Sequence, residues 1–274
     1  MNSLIVIFTS HDRMDKTREC LYSLDDPGYD IRYIAVDDGC MDKTVDMIER
    51  FADEKSRKVD ILHGDGKLFW AGGMRKGMEY VLDNGIISDH VLLINDDVKF
   101  FEQAIKRMID TALSFPGSCI AGATCGRNGK ITYGGFRYEM NSVKERRIGI
   151  SDPDRRCDAA NMNAFLMPYD VFRRMGVFDR HYTHKMADYD YCFGLKRIGV
   201  KVYMTDYYAG LCEIRTKKGT WEDRELSRIK RLRLKEQPKG LPAGEWFYFL
   251  KKNFGMGYAI RHSITPYLRM IIGR

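Results

Sequence analysis

The chain has 274 residues, 44% of them hydrophobic and 30% charged, with a formal net charge of +7. Its mean hydropathy is −0.40. This is the composition of an ordinary soluble globular protein, long enough for one large domain and a small appendage. It excludes a spanning helix, since no segment approaches the roughly 18 uninterrupted apolar residues that one needs. Seven cysteines stand at scattered positions, with no Cys-x-x-Cys pair. Zinc knuckles and a disulfide framework are thereby disfavoured, and a reducing cytoplasm is the simplest setting.

The first half alternates between two periodicities. Segments 4–9, 31–36, 59–62 and 91–94 are short, apolar and β-branched, as buried strands are. The apolar start lacks a basic leader and a small-residue cleavage site, so it reads as a strand and not as a signal peptide. Segments 16–24, 44–51 and 74–82 place apolar residues at steps of three and four and are expected to be helices, the second capped by Asp42. Such alternation predicts an α/β fold with a mostly parallel sheet flanked by helices, whose ligands bind beyond the carboxyl ends of the strands. A helix is expected over 101–113. Strands over 119–125 and 131–138 flank Arg127-Asn128-Gly129, a hairpin signal. Helices follow over 171–175 and 188–198, then a strand over 200–204. The end of the chain reads as helical over 222–235, 245–253 and 258–272, broken at 238–242.

The positive charge has an address. Residues 1–212 carry 30 basic and 32 acidic side chains, whereas residues 213–274 carry 15 and 6. A basic helical extension of this kind suits an anionic partner, such as a membrane surface or a lipid-linked phosphate; equally, it suits a solvated helical surface.

Three acidic clusters fall at expected strand or helix ends. Asp37-Asp38-Gly39 follows the second strand and can accept hydrogen bonds from a base or ribose, although Asp-Asp-Gly is also a common turn. Asn95-Asp96-Asp97 ends the fourth strand, where adjacent carboxylates repel unless a cation or hydrogen bonds compensate; a hard divalent ion bridging carboxylate to phosphate suits them. A helix cap uses one of the two. Asp188-Tyr189-Asp190 sits among aromatic residues, where a partly desolvated carboxylate serves as a general base or, again, as a cap. The glycine-rich stretch 64–77 follows a strand and opens a helix, so that its backbone amides can face a phosphate or a sugar, and Trp70 either stacks on a base or sugar or covers the core. It matches neither the dinucleotide nor the P-loop pattern, which weakens an NAD or ATP reading.

Taken in order, Leu4-Ile-Val-Ile-Phe-Thr-Ser-His-Asp-Arg13, Val36-Asp-Asp-Gly-Cys-Met-Asp-Lys-Thr44, Leu93-Ile-Asn-Asp-Asp97, Gly176-Val-Phe-Asp179 and Ala187-Asp-Tyr-Asp-Tyr-Cys192 resemble the family 2 glycosyltransferases, which share the GT-A fold. The stretches 157–168, 184–190, Gly219-Thr-Trp221 and 238–246 look like a bacterial subgroup from polysaccharide-assembly loci. The resemblance implies a GT-A catalytic domain over residues 1–212, with nucleotide binding up to about residue 115 and acceptor binding after it, followed by the extension at 213–274. It implies an inverting transfer from a nucleoside-diphosphate sugar (UDP, dTDP or GDP) to a glycan or lipid-linked hydroxyl. The nucleotide would meet Thr9, Arg13, Asp37, Asp38, Gly73 and Asp96. Asp97 would hold Mg²⁺ or Mn²⁺, and Asp188 would be the base, with Asp190 in support. Trp70, Asn161, Asn163 and His184 would face the acceptor or sugar. Two positions depart from the pattern: Asn95 replaces the first acid of the DXD site, and Cys212-Glu213 stands where many members have a histidine ligand.

A nucleotide-sugar-forming nucleotidyltransferase would carry a glycine-rich basic loop after the first strand, where this chain has Thr9-Ser-His-Asp-Arg13. A non-catalytic nucleotide- or sugar-binding protein would need no carboxylate at Asp188. Nucleic-acid binding rests on tail charge alone and is not expected. For the tail, docking on the inner face of the cytoplasmic membrane stands beside packing on the core or a homodimer.

Overall fold

The alternating runs become strands and helices in strict turn. In the computed structural model, which describes residues 3–139, 142–214 and 216–272, the first seven elements are β1 (Ser3–Ser10), α1 (Met14–Leu24), β2 (Asp30–Asp37), α2 (Thr44–Lys55), β3 (Lys58–His63), α3 (Phe69–Asp83) and β4 (His90–Ile94). β1 pairs in parallel with both β2 and β4, and β2 with β3. Continuous apolar runs are required here because both faces are covered. Ile5 and Ile7 join Met74 and Met78 of α3 in one core cluster, while Val6 and Phe8 join Cys20 and Leu21 of α1 in the other.

The second half adds β5 (Lys99–Phe100), α4 (Ala104–Ser114), β6 (Cys119–Cys125), β7 (Ile131–Tyr133), β8 (Gly135–Tyr138) and β9 (Glu145–Arg147). Next come β10 (Arg156–Cys157), β11 (Ala159–Ala160), β12 (Ala164–Pro168), α5 (Tyr169–Met175), α6 (Ala187–Arg197) and β13 (Val202–Leu211). The main sheet runs β10-β13-β6-β12-β4-β1-β2-β3, with β5 and β7 attached to β13 and β6; β11, β8 and β9 form a second, small sheet. β12 runs antiparallel between β4 and β6, as β10 does beside β13, so the first residues of β12 lie at the edge where β4 ends. The fold is the mostly parallel α/β sheet that the alternation predicts.

Several boundaries differ from expectation. The segment 131–138 is two strands in two sheets, divided at Gly134, where a Cβ would meet the Met204 sulfur at 2.7 Å. The helix expected from residue 101 starts at Ala104, after the short strand β5, so Asp96 and Asp97 do not cap it. The helix expected over 222–235 is only α7 (Arg228–Lys235), because Asp223 accepts the amides of Gly219 and Glu225 and holds a turn instead. The helix over 245–253 is α8 (Ala243–Phe254), and that over 258–272 divides into α9 (Met256–Ser263) and α10 (Thr265–Ile272), with Pro266 in the first turn of α10. Arg215 and Arg274, part of the tail's charge, lie outside the described residues. Among those described, no helix is long and apolar enough to cross a membrane. The extension does not stand apart from the sheet: Phe249 and Leu250 of α8 are buried in the same core cluster as Phe165 and Phe172.

Candidate active site

The carboxyl ends of β1, β2, β4 and β13 and the start of β12 border a cleft of about 840 Å³. Thr9, Arg13, Asp38, Trp70, Asn95, Asp96, Asp97, Asn161, Asn163, His184 and Asp188 all line it. These residues are spread over nearly 180 positions of sequence, and the strand order brings them together.

On the β4 side the cluster is built around a guanidinium. Arg13 places Nη1 2.6 Å from Asp96 Oδ1 and Nη2 2.6 Å from Asp97 Oδ2. Burial pulls Arg13 down, but the two carboxylates outweigh it and leave the guanidinium above its ordinary pKa. Asp96 is buried and also accepts from Thr17 at 3.2 Å; burial raises its pKa, against Arg13. Asn95 is turned away from this pair, its Oδ1 accepting from Trp70 Nε1 at 2.7 Å. Arg13 and Thr17 between them take both oxygens of Asp96, whereas Asp97 keeps Oδ1 clear of Arg13, with the Cys212 Sγ near it at 3.7 Å. Burial first, and then Asp97, pushes the Cys212 thiol up to about 12, so it stays a neutral thiol beside Asn163, whose Nδ2 lies 3.5 Å from its sulfur.

Across the cleft, Asp188 occupies the first turn of α6, with Met186 in a left-handed conformation at the cap. Its Oδ1 accepts the amide of Tyr189 at 2.9 Å, and Asn161 donates a side-chain hydrogen bond to it. Desolvation dominates, lifting its pKa to about 6 against those hydrogen bonds. A carboxylate held by one amide and one carboxamide, and poised just below neutrality, is equipped to take a proton from a hydroxyl.

Three expected site residues lie outside the cleft lining. Asp37 is buried beneath it, accepting from the Cys40 amide at 2.8 Å and paired with His63 Nδ1 at 3.0 Å; burial would raise its pKa, and those hydrogen bonds bring it below the ordinary value. Gly73 is inside α3, which begins at Phe69, so the stretch 64–77 is half loop and half helix. A Cβ on Gly73 would stand 2.3 Å from Thr9 Oγ1, so the glycine lets α3 approach β1 and presents no amide to a ligand. Asp190 points to the opposite side of α6, where Lys252 Nζ and Asn253 Nδ2 of α8 reach it at 2.8 and 2.9 Å. Its placement makes it an anchor for α8. Asp38 does line the cleft, but its carboxylate already accepts the amides of Gly66, Leu68 and Phe69 at 3.0, 3.2 and 2.9 Å, which fixes the entry to α3.

The extension supplies residues that strand-end reasoning misses. Lys217, Thr220, Trp221, Gln237, Lys239 and Gly240 line the cleft opposite the sheet edge. Arg231 of α7 holds Trp221 through a hydrogen bond from Nε to its carbonyl at 2.8 Å. Buried Lys235 donates to the Leu241 carbonyl, Glu236 and Tyr267 at 2.7, 2.8 and 3.0 Å and so fixes the turn carrying Lys239. The only sequence signal for these was the resemblance around Gly219-Thr-Trp221 and 238–246.

Strand-end acids and an elevated aspartate thus face one another across one cleft at the edge of a mixed sheet. Residues 5–176 match the model of Glycosyl transferase family 2, and this chain belongs to that family. Among solved structures it resembles the mannosyltransferase PcManGT from Pyrobaculum calidifontis in complex with GDP-Man and Mn²⁺ (TM-score 0.61, 12% identity, 98% of this chain and 74% of that one). It also resembles S. aureus TarS 1–349 in complex with UDP-GlcNAc (TM-score 0.59, 12% identity, 98% and 90%). A third likeness is GalNAc-T7 with UDP, GalNAc and Mn²⁺ (TM-score 0.59, 9% identity, 100% and 58%). Among curated protein sequences none matches. The protein is a family 2 glycosyltransferase with the GT-A fold.

Proposed function

We propose that the chain transfers a sugar, with inversion, from a nucleoside-diphosphate sugar to a hydroxyl of a glycan or lipid-linked acceptor in bacterial surface polysaccharide synthesis. The observation that carries this reading is the opposition, across one cleft, of the Arg13–Asp96–Asp97 cluster and the elevated carboxylate of Asp188. Charge develops on the leaving diphosphate while a proton leaves the acceptor, and the two sides of the cleft answer these two needs.

Asp188 takes the acceptor proton as the oxygen attacks the anomeric carbon and the bond to the diphosphate breaks. Asn161 and the Tyr189 amide hold the carboxylate in place for this. Arg13, with Lys217 and Lys239 from the extension, faces the departing diphosphate. Asp97 fits a divalent ion through Oδ1, one carboxylate plus substrate phosphates being a usual arrangement for Mg²⁺ or Mn²⁺. Such an ion would supply further charge neutralisation to the leaving group. Trp70, Asn163 and His184 border the space left for the sugar.

The test is a thermal-shift screen of the purified chain against UDP-, GDP- and dTDP-sugars with and without Mn²⁺, followed by transfer to an acceptor alcohol. The product's anomeric configuration is then read by NMR. An inverted product is expected; retention of the donor's configuration would overturn the single displacement, and no stabilisation by any nucleotide sugar would overturn the transferase reading.

A further inference from the structure

The extension has two surfaces of opposite character. α8 turns its aromatic residues inward, but α7, α9 and α10 leave large apolar side chains in solvent. Among the described residues, six of the twelve exposed large hydrophobics lie on α7 or along α9 and α10: Ile229, Leu232, Met256, Ile260, Ile264 and Leu268. Ile229 and Ile260 are 67% and 63% exposed. Four of the six are spaced by four residues from Met256 to Leu268, which places them in one stripe across the α9–α10 junction. α10 packs against both α9 and α7, so the stripe continues toward Ile229 and Leu232.

The charge on these helices has one sign. α7, α9 and α10 contain no aspartate or glutamate, and Arg228, Lys230, Arg233, Arg261 and Arg269 are exposed beside the apolar stripe. Apolar side chains flanked by cations, with no acid on the same helices, complement an anionic bilayer surface: the apolar groups reach the acyl boundary and the cations meet lipid headgroup phosphates. A second protein copy carrying the same surface would bring five cations against five, which disfavours a homodimer through this face.

We infer that α7, α9 and α10 form a docking surface for an anionic lipid bilayer. This deepens the lipid-linked-acceptor reading and rests on it for its purpose. α7 joins the two sites, because its Arg231 holds Trp221 over the cleft and Leu234 lines that cleft, while Ile229 and Leu232 face outward. Docking therefore sets the cleft beside the bilayer, where a lipid-linked acceptor presents its head.

The experiment is flotation of the full chain with phosphatidylcholine vesicles, with and without phosphatidylglycerol, at low and high salt. Binding that requires phosphatidylglycerol and is weakened by salt is expected. Burying an isoleucine is worth roughly a tenfold gain in affinity or more, so Ile260→Glu with Ile264→Glu should lower partitioning by about a hundredfold. Arg261→Gln with Arg269→Gln should weaken binding only to anionic vesicles. Thermal stabilisation by the preferred nucleotide sugar should be unchanged in both variants, which separates failure of docking from failure of the transferase reading. The inference is overturned by equal binding to neutral vesicles and anionic ones. It is also overturned if the isoleucine variant floats like the parent, or if that variant's main effect is to dissociate a dimer in size-exclusion light scattering.

Discussion

At the scale of single residues, the site holds one strained charge and several satisfied ones. Asp188 is lifted to about 6 by desolvation, above the roughly 3.9 of a free aspartate. Its charged form is therefore destabilised in the fold. Between those two values the folded state binds the extra proton, so stability falls as pH rises through that window, and the loss is complete above about 6. Asp188→Asn should abolish transfer, retain nucleotide-sugar binding, and melt roughly 2–6 °C above the parent at neutral pH. That difference should vanish near pH 4. In the parent, kcat/KM should drop on the acid side with a midpoint near 6. Melting curves at two pH values and a pH–rate profile check both; full activity in the asparagine variant would end the base assignment. Asp190 is the contrasting case, two residues away and facing α8. Lys252→Met leaves its carboxylate buried with Asn253 and Tyr182, removes the Lys252–Asp179 ion pair as well, and should cost about 2–3 kcal/mol, less than a fully buried pair because Lys252 is partly exposed. Denaturant melts should show that loss, while kcat in the folded fraction stays near the parent's; a collapse of kcat with unchanged stability would restore a catalytic role to Asp190.

At the scale of elements, what could be read from the sequence was whatever a strand end dictates. β1, β2 and β4 were legible because their runs are apolar but for Arg32 of β2, and so Asp38 and Asp97 could be placed at one edge, whereas Arg13 came from the family resemblance. Asp37 and Asp190 were not separable from their neighbours, since adjacent residues on a strand or helix face different ways and periodicity does not tell which face carries the ligand. Gly73 was misplaced for a different reason. Asp38 captures the amides at Gly66, Leu68 and Phe69, and that long-range cap starts α3 earlier than the local pattern suggested. The roof of the cleft was beyond local reading altogether, because it depends on Lys235, a fully buried lysine in a basic helix whose three donors go to Glu236, the Leu241 carbonyl and Tyr267 of α10. Lys235→Met should loosen the turn carrying Lys239, raising KM for donor or acceptor several-fold with a smaller change in kcat, and lowering Tm by a few degrees. Steady-state kinetics would show the split, and an unchanged KM would mean that the turn does not touch substrate.

At the scale of the whole molecule, the extension is neither a tether nor a separate unit, because its parts are bound to the sheet by different physics. α8 is held by apolar burial and by the Asp190–Lys252 and Tyr248–Asp179 contacts, the last at 2.8 Å. The strap at 216–222 and the turn at 237–241 are held by a handful of hydrogen bonds at the rim of an open cleft. Segments with few buried apolar contacts open at low free-energy cost, and ligand-covering elements are drawn from that class. Hydrogen exchange should therefore find α8 as protected as the sheet in the free protein, with the strap and turn exchanging fast. Addition of a bound nucleotide sugar should slow exchange in the strap and turn and leave α8 unchanged. Truncation after residue 212 should give an aggregating product, since it strips Phe249 and Leu250 from the core and leaves Asp190 without Lys252 and Asn253. A soluble, nucleotide-binding fragment ending at residue 212 would show that the sheet closes its own core and that the extension acts only at the rim.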